Sequence, residues 1–288
     1  MLRRAAAILA LGAALVAGAA LVAGPARADE ADLRQRGELL FHIGGCTNCH
    51  TAKNGQLLAG GDAIVSPYGD FYAPNITPDP ETGIGGWTLE QFVRAMREGR
   101  DPQGRPLYPS FPYTSYTRMT DEDLAALKAY LDTLPAVNQP SRPHELWFPF
   151  NVRWGLNLWQ WLFFTPERFV PDPARDEAWN RGAYLVLAPG HCGECHTPRT
   201  FYGVLEWDRP FVGAQLGKER IPDITPNPAH GLGEWSTGDL GTFLKLGMMP
   251  DGDFVGSEMA KVVNNGTSKL PDADIAAIVT YLEGLPPS

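Results

Sequence analysis

Cys46-Thr47-Asn48-Cys49-His50 and Cys192-Gly193-Glu194-Cys195-His196 are two copies of one spacing, Cys-x-x-Cys-His. Each matches the attachment signature of a c-type haem. The two thiols add across the porphyrin vinyl groups, and the adjacent imidazole stands under the iron as its proximal ligand. Cys46, Cys49, Cys192 and Cys195 are the expected covalent anchors of two haem c groups, and His50 and His196 the expected iron ligands. Two other readings compete. A zinc ribbon sets its Cys pairs a few tens of residues apart, and these lie well over a hundred apart. A thioredoxin-like pair needs a βαβ context that neither flank provides, and it gives no reason for His to follow both times. The two motifs use all four cysteines of the chain, leaving none for a disulfide or a thiolate nucleophile.

The N-terminus supplies the compartment this chemistry needs. Met1 to Arg4 is basic, Ala5 to Gly24 is an apolar run, and Ala26-Arg27-Ala28 offers a small-x-small cleavage site before Asp29. Residues 1–28 therefore read as a signal peptide and the rest as exported, to the periplasm of a bacterium; an uncleaved anchor is the alternative, since the run approaches the ~20 residues that span a bilayer. Cleavage removes three arginines and moves the formal charge from −9 to −12. Such an acidic chain suits neither nucleic acid nor an anionic membrane surface.

The remaining 260 residues exceed one small haem domain and match two with a linker. An internal repeat supports that division. Arg36-Gly37 pairs with Arg181-Gly182 at an offset of 145, and the cysteines pair at 146. Asn75-Ile76-Thr77-Pro78-Asp79-Pro80 matches Asp223-Ile224-Thr225-Pro226-Asn227-Pro228 at 148. The same offset joins Gly83 to Gly231, Trp87 to Trp235 and Gly99 to Gly247. Leu124, Leu127, Tyr130 and Leu131 pair with Ile275, Ile278, Tyr281 and Leu282 at 151. Small changes of offset between blocks are insertions of the kind loops tolerate. The expected domains are 29–136 and 177–288, joined by 137–176.

Each domain reads as all-α, a few short helices with long loops around one haem. A first helix over about Glu30 to Ile43 leads into the motif, a second covers about Leu89 to Glu98, and the last runs from about Asp121 to Leu134 and stops at Pro135. Gly37 and Gly182 fall mid-helix, where glycine is costly unless another backbone comes close. The C-terminal helix of the same domain is the expected partner.

A thioether on the distal face closes an iron to small molecules and raises its potential. The second domain offers Met248, Met249 and Met259; Met259, in the loop before the last helix, is the preferred ligand. At the 148 offset Met259 pairs with Phe111, which cannot bind iron. Met119 is then the nearest ligand for the first domain. It also fits another role, since an apolar residue just before Thr120-Asp121-Glu122-Asp123 staples onto Leu124, and its repeat counterpart is Leu270. Met96 pairs with Leu244 in mid-helix. His42, His144, His191 and His230 read as surface or hydrogen-bonding residues, although His144 is within reach of the first haem.

The chain resembles the dihaem and multihaem cytochrome c proteins similar to the cytochrome subunits of membrane-associated bacterial alcohol, gluconate and aldehyde dehydrogenases. The resemblance is carried by Asn75-Ile76-Thr77-Pro78-Asp79 with Thr82-Gly83-Ile84-Gly85, by Leu107-Tyr108-Pro109 with Pro112-Tyr113, and by Arg181-Gly182-Ala183-Tyr184-Leu185 through Gly190 to Arg199. It covers nearly all of the mature chain. It implies two tandem cytochrome c domains relaying electrons from a dehydrogenase toward a cytochrome, oxidase or quinone. The chain departs from that family in two ways. The dehydrogenase subunits typically carry three haems, and they often have Met where this chain has Phe111.

The linker holds Trp147, Trp154, Trp159 and Trp161 with Phe148, Phe150, Phe163 and Phe164. Packing across both domains is the first expectation, given how much area aromatics bury. Docking on a partner or a membrane interface is the second. Electron transfer without substrate chemistry is the leading function; Phe111 keeps open a dihaem enzyme (peroxidase-like or thiosulfate-oxidising) or a gas sensor with an open first haem.

Overall fold

The computed structural model describes residues 30–217 and 219–288. The expected leader, 1–28, lies outside them. Helix α1 (Glu30–Ile43) opens the described chain. Gly45, at a left-handed φ of 58°, turns it directly into α2 (Cys46–His50), so the first motif is itself a helical turn. A hairpin follows, β1 (Ala63–Ser66) and β2 (Gly69–Tyr72), paired from Ala63 opposite Tyr72 to Ser66 opposite Gly69. Helix α3 (Leu89–Glu98) begins in a capping box between Thr88 and Gln91 and ends on left-handed Gly99. Next come α4 (Tyr113–Tyr116) and α5 (Asp121–Leu131), the latter capped by Thr120. Helix α5 stops three residues before the expected Leu134, because Pro135 excludes its predecessor from helical geometry.

The segment 137–176 is more ordered than its composition suggests. Strand β3 (Glu145–Leu146) pairs with β2, and α6 (Gly155–Phe163) lies across the junction of the two halves. Gln160, the buried residue of α6, donates to the carbonyls of Glu98 and Gly99. Trp159 Nε1 donates to the Tyr202 carbonyl at 2.8 Å, and Phe163 stacks on Tyr202. These contacts reach both halves. Phe150 and Phe164 also pack, on Tyr68 and Tyr113, but Phe148 and Trp161 are 81% and 79% exposed, with Trp147 and Trp154 similarly open. The packing expectation therefore holds for part of the segment only.

The second half runs through a similar order of elements. Helix α7 (Glu177–Leu187), capped by Asp176, precedes α8 (Gly193–His196), which Cys192 begins. The ribbon β4 (Ala214–Leu216) with β5 (Glu219–Ile221) follows, and α9 (Thr237–Leu246) has its own capping box, Ser236 with Asp239, and its own left-handed end at Gly247. Helices α10 (Ser257–Asn265) and α11 (Asp272–Glu283) complete the chain. The structure is predominantly helical, with short antiparallel ribbons added to the helices. No helix among the described residues is long and apolar enough to cross a membrane.

Two helix crossings organise the core. A β-carbon on Gly37 of α1 would stand 2.1 Å from the Ala126 carbonyl oxygen of α5. One on Gly182 of α7 would stand 1.9 Å from the Ala277 carbonyl oxygen of α11. Only glycine lets these backbones approach so closely, which explains both mid-helix glycines. The two crossings share one continuous apolar core, in which Leu40, Ile43 and Leu124 join Leu185, Leu270 and Ile278. Polar contacts also cross the junction. Buried Asp123 accepts hydrogen bonds from Arg36 and from the phenol of Tyr184.

Candidate haem-attachment site

A spacing of three on a helical turn puts both sulfurs of a motif on one face, and the following His continues the same turn. All four thiols are free. Burial, and next the neighbouring thiol, push Cys46 and Cys192 up to about 12. Burial likewise raises Cys49, and takes Cys195 to about 11. Such thiols stay protonated at neutral pH.

Each histidine is held by a backbone carbonyl. His50 Nδ1 donates to Pro74 O at 2.7 Å, and His196 Nδ1 donates to Pro222 O at 2.9 Å. Burial lowers both imidazoles below their usual range, with these bonds opposing it, so both are neutral with the lone pair on Nε2. That tautomer is the one a proximal ligand requires.

The carbonyls are placed by local chemistry. Asn75 Oδ1 accepts from Thr77 N–H at 2.9 Å, and Asp223 Oδ1 from Thr225 N–H at 2.7 Å, so the residue after each proline folds its own turn. The threonine after each motif histidine ties the loop to the motif: Thr51 Oγ1 accepts from Leu58 N–H and Thr197 Oγ1 from Phe211 N–H. Leu58 and Phe211 then accept from Ile76 and Ile224. Pro74 and Pro222 were not among the expected site residues, yet they pair at the same 148 offset as the block beside them. The repeat was the signal that would have found them.

The two motifs meet across the junction. His191, just before Cys192, donates through Nε2 to Gly44 O at 3.2 Å, and Tyr116 donates to the same carbonyl at 3.1 Å. Asn265 of α10 donates to the Asn48 side chain at 2.7 Å and accepts from His42 Nδ1 at 2.9 Å. Glu194, inside the second motif, is buried and accepts from Thr114 at 2.7 Å and Ser115 at 2.8 Å, both of α4 in the other half, and from Arg199. Burial pushes its carboxyl up, but Arg199 and the two hydroxyls outweigh this and hold it below its usual range. Nothing in its spacing marked Glu194 as buried. The Cys195 thiol lies near Cys49 of the first motif and Glu258 of α10.

The structure places the expected distal residues differently from one another. Met259 is half-buried in the first turn of α10, in a helix and not the expected loop. Met119 is 1% exposed, within the core between α4 and α5.

Paired thiols beside neutral, carbonyl-anchored imidazoles fit covalent haem attachment. The comparisons agree. A cytochrome c sequence profile matches residues 35–135. The chain is 44% identical over 258 residues to a "Diheme cytochrome c-type" protein of Cereibacter sphaeroides, covering 87% of this chain and 85% of that one. It is 43% identical over 265 residues to the fructose dehydrogenase cytochrome subunit of Gluconobacter japonicus, and 42% over 273 residues to the cytochrome c subunit of the quinone alcohol dehydrogenase of Gluconacetobacter polyoxogenes. Those alignments cover 91% of this chain but only 54% and 58% of the dehydrogenase subunits, so the chain spans little more than half their length. The chain belongs to the cytochrome c family.

Proposed function

We propose that this protein is an exported, periplasmic dihaem cytochrome that relays electrons from a dehydrogenase to a respiratory acceptor, whether another cytochrome, an oxidase or a quinone. Residues 29–136 and 177–288 form two tandem cytochrome c domains, and 137–176 links them. Cys46 with Cys49, and Cys192 with Cys195, carry one haem each; His50 and His196 are the proximal ligands, and Met259 the distal ligand of the second haem. The bound iron supplies a reversible one-electron couple.

The observation that carries this reading is the contact between the segments leading into α2 and α8, where His191 donates to Gly44 O. A relay needs its two centres close and rigidly spaced. His191, Tyr116 and the Asn48–Asn265 pair lock the two attachment turns together, while Glu194 fastens the second motif to α4. The glycine crossings hold each motif against its own core. Dehydrogenase cytochrome subunits among the relatives support a dehydrogenase donor. The exposed Trp147, Trp154 and Trp161 are suited to a partner surface or a membrane interface, where aromatic side chains concentrate.

The test is expression with a cytochrome c maturation system, followed by a pyridine haemochromogen count and an optical redox titration. Two thioether-linked haems per chain, falling to one in Cys46→Ala/Cys49→Ala and in Cys192→Ala/Cys195→Ala, are expected. Fewer than two in the unaltered protein refutes the reading.

A further inference from the structure

The repeat can be followed in the structure up to the distal residues. The capping boxes at Thr88 and Ser236, the left-handed ends at Gly99 and Gly247, and the bridges Arg100–Pro106 and Met248–Phe254 all pair at the offset of 148. Five residues beyond the last of these pairs stand Phe111 and Met259. The offset has become 151 by Met119 and Leu270, and nine-residue α10, which begins two residues before Met259, stands where the first half has four-residue α4. Phe111 thus holds the register of Met259. Its half-buried ring lies 5.6 Å from that of Tyr116, whose phenol is bonded beside Cys46 at Gly44.

The other donors of the first half are occupied. Met119 is covered by the chain's own atoms to 1% exposure and fills the place that Leu270, at 2%, fills in the second half. Met96 is equally enclosed in α3, as Leu244 is in α9. A sulfur sealed among core side chains has no face to offer an iron. The imidazoles are held by other partners, His42 through Nδ1 on the Asn265 carbonyl. Tyr72 N–H donates to His144 Nδ1 at 3.1 Å, so the hydrogen of that neutral ring is on Nε2. His191 Nε2 faces the Gly44 carbonyl and must likewise carry its hydrogen. His42 Nε2 lies 3.9 Å from Glu38, on its own helix. The Tyr116 phenol donates to Gly44 O, and burial keeps it protonated.

We infer that the first-domain iron has no side-chain ligand on its distal face and that this face binds a small neutral molecule such as carbon monoxide or nitric oxide. Phe111 at this register supplies apolar surface and no charge, which suits a neutral diatomic better than an anion. Met119, the distal ligand expected from the sequence, acts instead as core packing. The inference rests on the dihaem reading, and the experiment separates the two.

After the haemochromogen count has established two haems, the dithionite-reduced full-length protein is titrated with carbon monoxide and followed by visible absorption. One carbon monoxide per two haems is expected at neutral pH. Phe111→Met should abolish binding by restoring a thioether, while Phe111→Leu, of similar size but without sulfur, should keep it. Met119→Leu should leave the stoichiometry at one. No binding by the unaltered protein would overturn the inference, as would retained binding in Phe111→Met. The dihaem reading fails separately, through the haem count.

Discussion

Replacing Gly182 by alanine sets two physical effects against each other. Alanine is favoured over glycine within a helix by about 1 kcal/mol, so α7 taken alone would gain stability. In the folded protein the new methyl would lie 1.9 Å from the Ala277 carbonyl oxygen, 2.6 Å from its carbon and 2.8 Å from the Tyr281 β-carbon. A carbon approaches a carbonyl oxygen comfortably at about 3.3 Å, so α11 must retreat by roughly 1.4 Å. The obstacle is backbone, which cannot rotate away as a side chain would. Overpacking of this kind costs typically 1–3 kcal/mol, and the upper end applies. The expected net loss is about 2 kcal/mol. Gly241 in α9 is the matched control, because nothing lies within 4 Å of its β-carbon position. Gly241→Ala should gain up to about 1 kcal/mol. Guanidinium midpoints of the haem-loaded proteins, read by far-UV circular dichroism, make the comparison. A Gly182→Ala protein as stable as the unaltered one would refute the close-crossing argument.

Tyr184→Phe removes a donor from buried Asp123 and should cost about 1–3 kcal/mol in the same denaturation assay. Thr88→Ala removes the N-cap of α3, where the hydroxyl accepts from Gln91 N–H at 3.2 Å; a loss of about 1 kcal/mol is expected, with a similar loss for Ser236→Ala in α9. Asp79 accepts from Thr82 N–H at 2.7 Å and from the Thr82 hydroxyl at 2.8 Å, and these bonds hold its carboxyl below the ordinary 3.8. Its contribution is therefore present above that ordinary value and drains as pH falls through the lower folded value. Denaturation midpoints measured from neutral to acid pH should show the unaltered protein losing its advantage over Asp79→Asn at the acid end; a constant difference would contradict this.

What the sequence alone determined is local or periodic. The boundaries of α1 and α3 could be read, because each depends on residues a turn apart. Gly37 and Gly182 even announced the helix crossings, since a costly residue at matched places in two helices implies a close neighbour. Burial was not legible in the same way, because it depends on chain brought in from far away. Glu194 reads as an ordinary acidic residue until Thr114 and Ser115, some eighty positions earlier, close over it. Met119 is equally suited by sequence to bind iron or fill a core, and only the packing around it favours the second role. The linker's aromatics suggested packing from composition, but α6 turns Trp161 outward and Gln160 inward, where Gln160 meets the Glu98 and Gly99 carbonyls. Tertiary structure alone brought the two attachment turns together, through bonds such as His191 to Gly44 that join residues 147 positions apart.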